Sequence, residues 1–280
     1  MVISHEKFDY RNKCLIEKVV IKAPFRFAVD FHEEACFIHF SAGEARINSP
    51  SGQLPVEPED SVLLKCGSHF ADLLKHGASN TYEILVVHLY PDILRSVYKH
   101  EIPSFVKASE SNSFFRKVIP DQLIGKFIEN LYFYFDNPSL VSDELLELKV
   151  KELVLLLIQT KNADSVLQLF SDLFTPRQVN IRDVVNNHLF SNLSLEDLAR
   201  LSNMSISTFQ RSFRASFHQS PANYIRTKRL ERAKELLGVS TLSVSEIAFQ
   251  TGFNDVAHFS RAFKAAFQLS PSGYRNSAKT

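Results

Sequence analysis

Arg211 and Arg214 recur fifty residues later as Arg261 and Lys264. Each pair sits in a frame of phenylalanines spaced i, i+4 and i+8: Phe209, Phe213 and Phe217 in the first copy, Phe259, Phe263 and Phe267 in the second. That spacing places the rings on one stripe of a helix, which packing will bury. The cations then lie away from the stripe. Arginine and lysine held on a free helix face neutralise phosphate, and an arginine beside a glutamine such as Gln210 also reads base edges by paired hydrogen bonds, guanine for Arg and adenine for Gln. The chemistry these residues offer is recognition of a polyanion.

The segments before each helix position it. Ser194-Leu-Glu-Asp-Leu-Ala199 and Ser243-Val-Ser-Glu-Ile-Ala248 each open on a serine followed three residues later by an acid, the pattern of a capping box. Four residues after each alanine stands a residue suited to a left-handed turn, Asn203 or Gly252. A hydrophobe follows, Met204 or Phe253, and then polar caps, Ser205 and Ser207 or Asn254 and Asp255. Each copy thus reads as a helix-turn-helix, the second with one extra residue in its turn. Each ends in Ser-Pro and a tyrosine, Ser220-Pro221 with Tyr224 and Ser270-Pro271 with Tyr274. A helix from Pro221 is expected between the two units, capped by Ser220 and stopped by Gly238. Its cluster of Arg226, Lys228, Arg229, Arg232 and Lys234, interleaved with Glu231 and Glu235, reads as salt-bridged surface.

With the phenylalanines inward, the residues expected to touch DNA are Ser207, Thr208, Gln210, Arg211 and Arg214, then Val256, Ala257, His258, Ser260, Arg261 and Lys264. Those near the helix N-termini reach base edges, Val256 offers a methyl contact, and Arg214 and Lys264 face phosphate. A solvated polar face explains Ser207 and His258 equally well.

Residues 176–280 carry 14 Lys and Arg against 7 Asp and Glu, while residues 1–175 carry 18 against 24. The overall charge of +1 hides this asymmetry, which suits a polyanion reader joined to an acidic partner domain. Cys14, Cys36 and Cys66 make an odd set without paired spacing, so a reducing compartment and no disulfide framework are expected. No signal-peptide core is legible at the N-terminus, and the longest apolar run, Leu153 to Ile158, is too short to span a bilayer. A cytoplasmic protein is expected.

The expected fold class is α+β. Short strands bounded by turns, at 35–40, 45–47, 54–56, 62–66 and 82–89, favour a small antiparallel barrel or jelly roll. Helices are expected over 114–135, 140–159 and 163–174; they either cover the β-core or form a dimer seam around Leu145 to Ile158. The domains are expected at 1–174, for sensing and dimerisation, and 175–280, an all-α domain of two helix-turn-helix units joined by a long helix.

The segment from about Ile181 to Tyr274 resembles the DNA-binding domain of AraC/XylS-type transcription regulators. The matching stretches are Leu193 to Ala199, Phe209 to Phe217 with Ser220-Pro221, Arg229 to Leu237, Leu242 to Ala248, Gly252 to Lys264, and Leu269 to Arg275. It departs from the family at Asn203, usually glycine, and Val256, often proline. The resemblance implies a sequence-specific regulator, an activator, with a cupin-like N-terminal domain, dimerisation helices, and base contacts at the positions named above. Its expected partners are double-stranded DNA, RNA polymerase, a second copy of the chain, and a small-molecule effector or regulatory protein.

The alternative is a cupin-type metalloenzyme domain fused to a DNA-binding module. His32, His39, His69, His76 and His88 are scattered, no two are separated by one residue, and no phosphate loop, nucleophile elbow or Cys-x-x-Cys pair occurs. No enzyme activity, cofactor or metal is therefore expected. Phe25, Phe27, Phe37, Ile38 and Phe40 either fill the β-core or line a pocket, and the ligand-binding residues are not legible.

Overall fold

The computed structural model describes residues 1–31, 34–65, 67–73, 80–97, 114–164, 166, 167, 169 and 179–278. His32, Glu33, Cys66, His76, the side chain of Phe27, the end of the third expected helix and the expected domain boundary lie outside the described residues. The chain divides into two compact units, Met1–Gln178 and Val179–Thr280.

Among its described residues the first unit holds ten antiparallel strands in two sheets. They are β1 (Val2–Tyr10), β2 (Lys13–Lys22), β3 (Phe25–Phe31), β4 (Ala35–Phe40), β5 (Ala45–Ser49), β6 (Gly52–Val56), β7 (Ser61–Leu64), β8 (Gly67–Leu73), β9 (Thr81–Leu89) and β10 (Phe115–Lys117). One sheet runs β1-β2-β9-β4-β7-β10 and the other β3-β8-β5-β6. A two-residue turn with both members left-handed, Arg11 and Asn12, joins β1 to β2; this geometry matches the twist of paired strands. β1 was not legible in the sequence because it is a mostly exposed edge strand whose charged residues disguise the alternation.

The run Ile84-Leu-Val-Val87 does not alternate in polarity because both faces of β9 are covered. Leu85, Val87 and Leu89 join Phe127, Leu131, Val150, Leu153 and Leu157 in the core beneath the helices. Tyr82, Ile84 and Val86 pack with Ala45, Ile47, Val56 and Leu73 of the other sheet. Phe37 belongs to the first core, Ile38 and Phe40 to the second, with Phe25 packed against the second.

Among the described residues helices α1 (Pro91–Val97), α2 (Gln122–Asp136) and α3 (Asp143–Gln159) follow, and residues 163, 164, 166, 167 and 169 of the third expected helix are helical too. The helix expected from 114 instead begins at Gln122. Arg116 pairs with Leu63 in the sheet, and the Asp121 carboxylate accepts from Leu123 N–H beyond Pro120. The next helix begins at Asp143 rather than 140, because Pro138 directs a 3-10 turn and Ser142 supplies the cap. On α3, Leu146, Val150, Leu153, Val154 and Leu157 are buried within the unit, while Leu148 and Leu155 are exposed.

The second unit is all helical: α4 (Ile181–Asn187), α5 (Leu195–Leu201), α6 (Ile206–Phe217), α7 (Pro221–Val239), α8 (Val244–Gln250), α9 (Val256–Phe267) and α10 (Pro271–Ala278). The linker helix α7 runs through Gly238 and ends at Ser240, whose hydroxyl donates to the Leu236 carbonyl at 2.7 Å. Gly238 does not adopt the left-handed conformation that stops a helix, so α7 is 19 residues long, about 28 Å.

Candidate nucleic-acid interface

Each reading helix is held from both ends. Ser194 and Asp197 form a complete capping box on α5, and Ser243 and Glu246 form one on α8. Asn203 (φ 54°) and Gly252 (φ 84°) are left-handed, and the next amide returns to the helix: Met204 N–H donates to Ala199 O and Phe253 N–H to Ala248 O, both at 2.9 Å. Ser205 then caps α6 and Asp255 caps α9. Both helices are twelve residues long and end at a left-handed residue, His218 or Gln268.

The repeated tyrosine has a packing role. Tyr224 meets Phe213 edge-on with ring centroids 5.6 Å apart, and Tyr274 meets Phe263 at 5.8 Å. Phe209, Phe213, Phe259 and Phe263 are fully buried, and Phe217 and Phe267 partly so. These contacts fix the rotation of each helix about its own axis, so the face opposite the rings turns to solvent.

On that face Ser207, Gln210, Arg211 and Arg214 are exposed in α6, and Ala257, His258, Arg261 and Lys264 in α9. Val256, Ser260 and Thr208 are half-buried. Thr208 is engaged in the cap: its hydroxyl accepts from Ser205 Oγ at 2.9 Å, and its amide donates to the same oxygen. The His258 ring lies 5.8 Å from that of Phe253. Among the described residues, Arg211, Arg214, Arg261 and Lys264 have no ion-pair partner, unlike Lys228 and Arg232 of α7, which bridge Glu231 and Glu235 at 2.8 Å. The structure therefore places four unneutralised cations on two matched helix faces.

Arg229 departs from the expectation of salt-bridged surface. Its half-buried guanidinium donates to three backbone carbonyls: Nε to Leu189 at 2.7 Å, Nη1 to Gly252 at 2.6 Å and Nη2 to Ser191 at 2.5 Å. Burial lowers its pKa from the ordinary arginine value. The clue in the sequence was its place on the stripe Ile225, Arg229, Ala233, Leu237, whose other members are buried. Arg275 similarly donates Nη2 to Leu242 O at 2.6 Å. Part of the basic excess thus ties the unit together.

Comparison with known proteins matches residues 198–277 to a family described as a helix-turn-helix domain, and residues 35–169 to the ExsA N-terminal regulatory domain. The uncharacterized HTH-type transcriptional regulator YdiP of Escherichia coli is 31% identical over 109 residues, 38% of this chain and 36% of YdiP. The HTH-type transcriptional regulator ExsA of Pseudomonas aeruginosa is 25% identical over 113 residues, 40% of this chain and 41% of ExsA. The chain thus spans well under half the length of these curated relatives. The crystal structure of the DNA-binding domain of AdpA in complex with a target DNA is 30% identical, covering 35% of this chain and 89% of that one, with a TM-score of 0.34.

Proposed function

Because the chain belongs to the AraC/XylS-type family of transcription regulators, we propose that it is a sequence-specific DNA-binding activator whose two reading helices enter adjacent major-groove segments. The observation that carries this reading is the matched pair of twelve-residue helices, each anchored by two buried phenylalanines and each presenting two cations that have no acidic partner among the described residues.

In this reading Ser207, Gln210, Arg211, Ala257, His258, Ser260 and Arg261 face base edges, Val256 offers a methyl contact, and Arg214 and Lys264 hold phosphates. Thr208 contributes chiefly by shaping the cap of α6. The linker helix, about 28 Å long, suits a spacing near the ~34 Å recurrence of the major groove on one side of B-DNA. Residues 1–174 serve as a cupin-like domain that senses a small molecule or a regulatory protein and dimerises. The chain engages RNA polymerase in the cytoplasm and works as a regulator without enzyme activity.

The test is selection of binding sites from a random duplex library, followed by footprinting with the full chain and with Arg211→Ala and Arg261→Ala. Each variant is expected to relax specificity at its own block, the two blocks lying about ten base pairs apart, at a cost of roughly 1–3 kcal/mol per lost contact. Changes at the same base positions in both variants would sink the two-groove reading.

A further inference from the structure

Cys14, Glu17 and His88 come together on one face of the six-stranded sheet although no local spacing links all three. The pairing of β1 with β2 slips between Phe8 and Asp9: Phe8 lies opposite Ile16, but Asp9 lies opposite Cys14. Leu15 is the extra residue. Side chains three positions apart on a regular strand point to opposite faces, and one inserted residue restores them to the same face. The bulge therefore turns the Cys14 thiol toward the Glu17 carboxylate, with Sγ 3.8 Å from Oε2. Next across the sheet, β9 brings His88 Nε2 to 3.3 Å from Glu17 Oε1. From β1, His5 Nε2 reaches Glu17 Oε2 at 2.6 Å.

We propose that Cys14, Glu17 and His88 form a site for a divalent transition-metal ion of the zinc class, with His5 holding the Glu17 carboxylate from outside it. The donor atoms of Cys14, Glu17 and His88 all lie within 4.8 Å of one another. A tetrahedron built on Zn–S of about 2.3 Å and Zn–N or Zn–O of about 2.0–2.1 Å has edges of roughly 3.3–3.6 Å. The Glu17–His88 and Cys14–Glu17 separations are already close to that. A thiolate and a carboxylate neutralise a dication, which a half-buried position favours. One thiolate with imidazole and carboxylate donors suits a borderline-soft ion and not magnesium or calcium.

The surroundings of His88 fit the same role. It is buried and lies directly opposite Cys36 in the β4–β9 ladder, with Nδ1 3.4 Å from Cys36 Sγ. In the tautomer whose Nε2 lone pair would meet a metal, Nδ1–H donates to that sulfur, and such outer contacts fix the orientation of a metal-binding imidazole. An ion held here would tie β2 to β9 at one point, with β1 joined to it through the His5–Glu17 hydrogen bond. The inference is independent of the DNA-binding reading.

The experiment uses the untagged full chain, stripped with chelator and titrated with zinc chloride or cobalt chloride against a competing chelator. One equivalent per chain is expected to bind and raise the melting temperature. The cobalt form should show the thiolate-to-cobalt charge-transfer absorption that only cysteine ligation produces. Cys14→Ser should abolish that absorption and weaken binding at least tenfold, and His5→Ala should weaken it about tenfold while keeping the absorption. His88→Gln should also lose the ion; if that variant does not fold, Cys14→Ser, a conservative change at a half-buried position, decides the matter alone. Failure of the folded chain to retain an ion, or an unchanged cobalt spectrum in Cys14→Ser, would overturn the site and leave a hydrogen-bonded carboxylate–imidazole cluster only.

Discussion

Arg229 occupies the space that a side chain at Gly252 would need. A Cβ built on Gly252 would stand 2.8 Å from Arg229 Cζ and 2.9 Å from the Phe190 carbonyl oxygen, while the Gly252 carbonyl accepts from Arg229 Nη1. One contact thus joins the linker helix to the turn of the second helix-turn-helix. The same guanidinium reaches Leu189 and Ser191 in the segment after α4. The glycine is needed for its left-handed φ and for this close approach together.

Gly252→Ala should therefore cost more than Asn203→Ala at the matching turn. Both lose a left-handed residue, worth about 1–2 kcal/mol, but only Gly252→Ala also collides with the half-buried Arg229 and a backbone carbonyl. Urea unfolding of the two variants gives the comparison, and equal losses would refute the role assigned to the contact. Arg229→Lys should lose roughly 2 kcal/mol or more, because an ammonium cannot serve three divergent carbonyls as the planar fork does.

Salt dependence separates the two kinds of DNA contact. Binding should weaken steeply between 50 and 200 mM salt, with the log–log slope changing by about 0.9 for each phosphate contact. Arg214→Ala and Lys264→Ala should each flatten the slope by about one contact and lower affinity evenly across sequences. Anisotropy titrations at several salt concentrations measure this, and slopes unchanged in both variants would remove these residues from the phosphate contacts.

Acid should destabilise the N-terminal unit through His39. Burial holds its imidazole down to about 4 from an ordinary 6.5. Ser61 Oγ lies 3.0 Å from Nδ1 and a Glu59 carboxylate oxygen 3.6 Å from Nε2, while the charge of Asp60 opposes the shift. The unfolded chain then binds the extra proton between about pH 4 and 6.5. This contribution to stability is complete above that window and is lost as pH falls through it, up to roughly 3 kcal/mol. His39→Gln should flatten the pH dependence of the melting temperature across the window. A slope identical to that of the parent protein would count against it.

Self-association is expected to depend on the exposed face of α3. Its inward leucines and valines are used by the unit's own core, which leaves Leu148 at 61% and Leu155 at 40% exposure. Sedimentation equilibrium should show a dimer that Leu148→Glu weakens by at least tenfold, with the fold intact by circular dichroism. A monomer at tens of micromolar, or a dimer indifferent to glutamate at both positions, would exclude this seam.

The helix-turn-helix repeat was legible in the sequence because its determinants are local. Capping boxes, a left-handed turn residue and phenylalanines four apart act within a dozen residues, so Ser194, Asn203 and Phe209 each announce their own conformation. The same locality made Arg211 and Arg261 visible as outward cations. Arg229 was misread because its partners, Leu189, Ser191 and Gly252, are 23 to 40 residues away and are backbone carbonyls, which leave no side-chain signature. Gly238 was misread as a stop because glycine permits a left-handed residue without requiring one. In the N-terminal unit β-prone runs mark β4, β5, β6, β7 and β9, but neither the remaining strands nor the order of any of them, because pairing joins residues far apart in the chain. Cys36 faces His88 across 52 positions, and a one-residue bulge decides that Cys14 faces Glu17. Side-chain direction in a sheet depends on register, and tertiary pairing sets register.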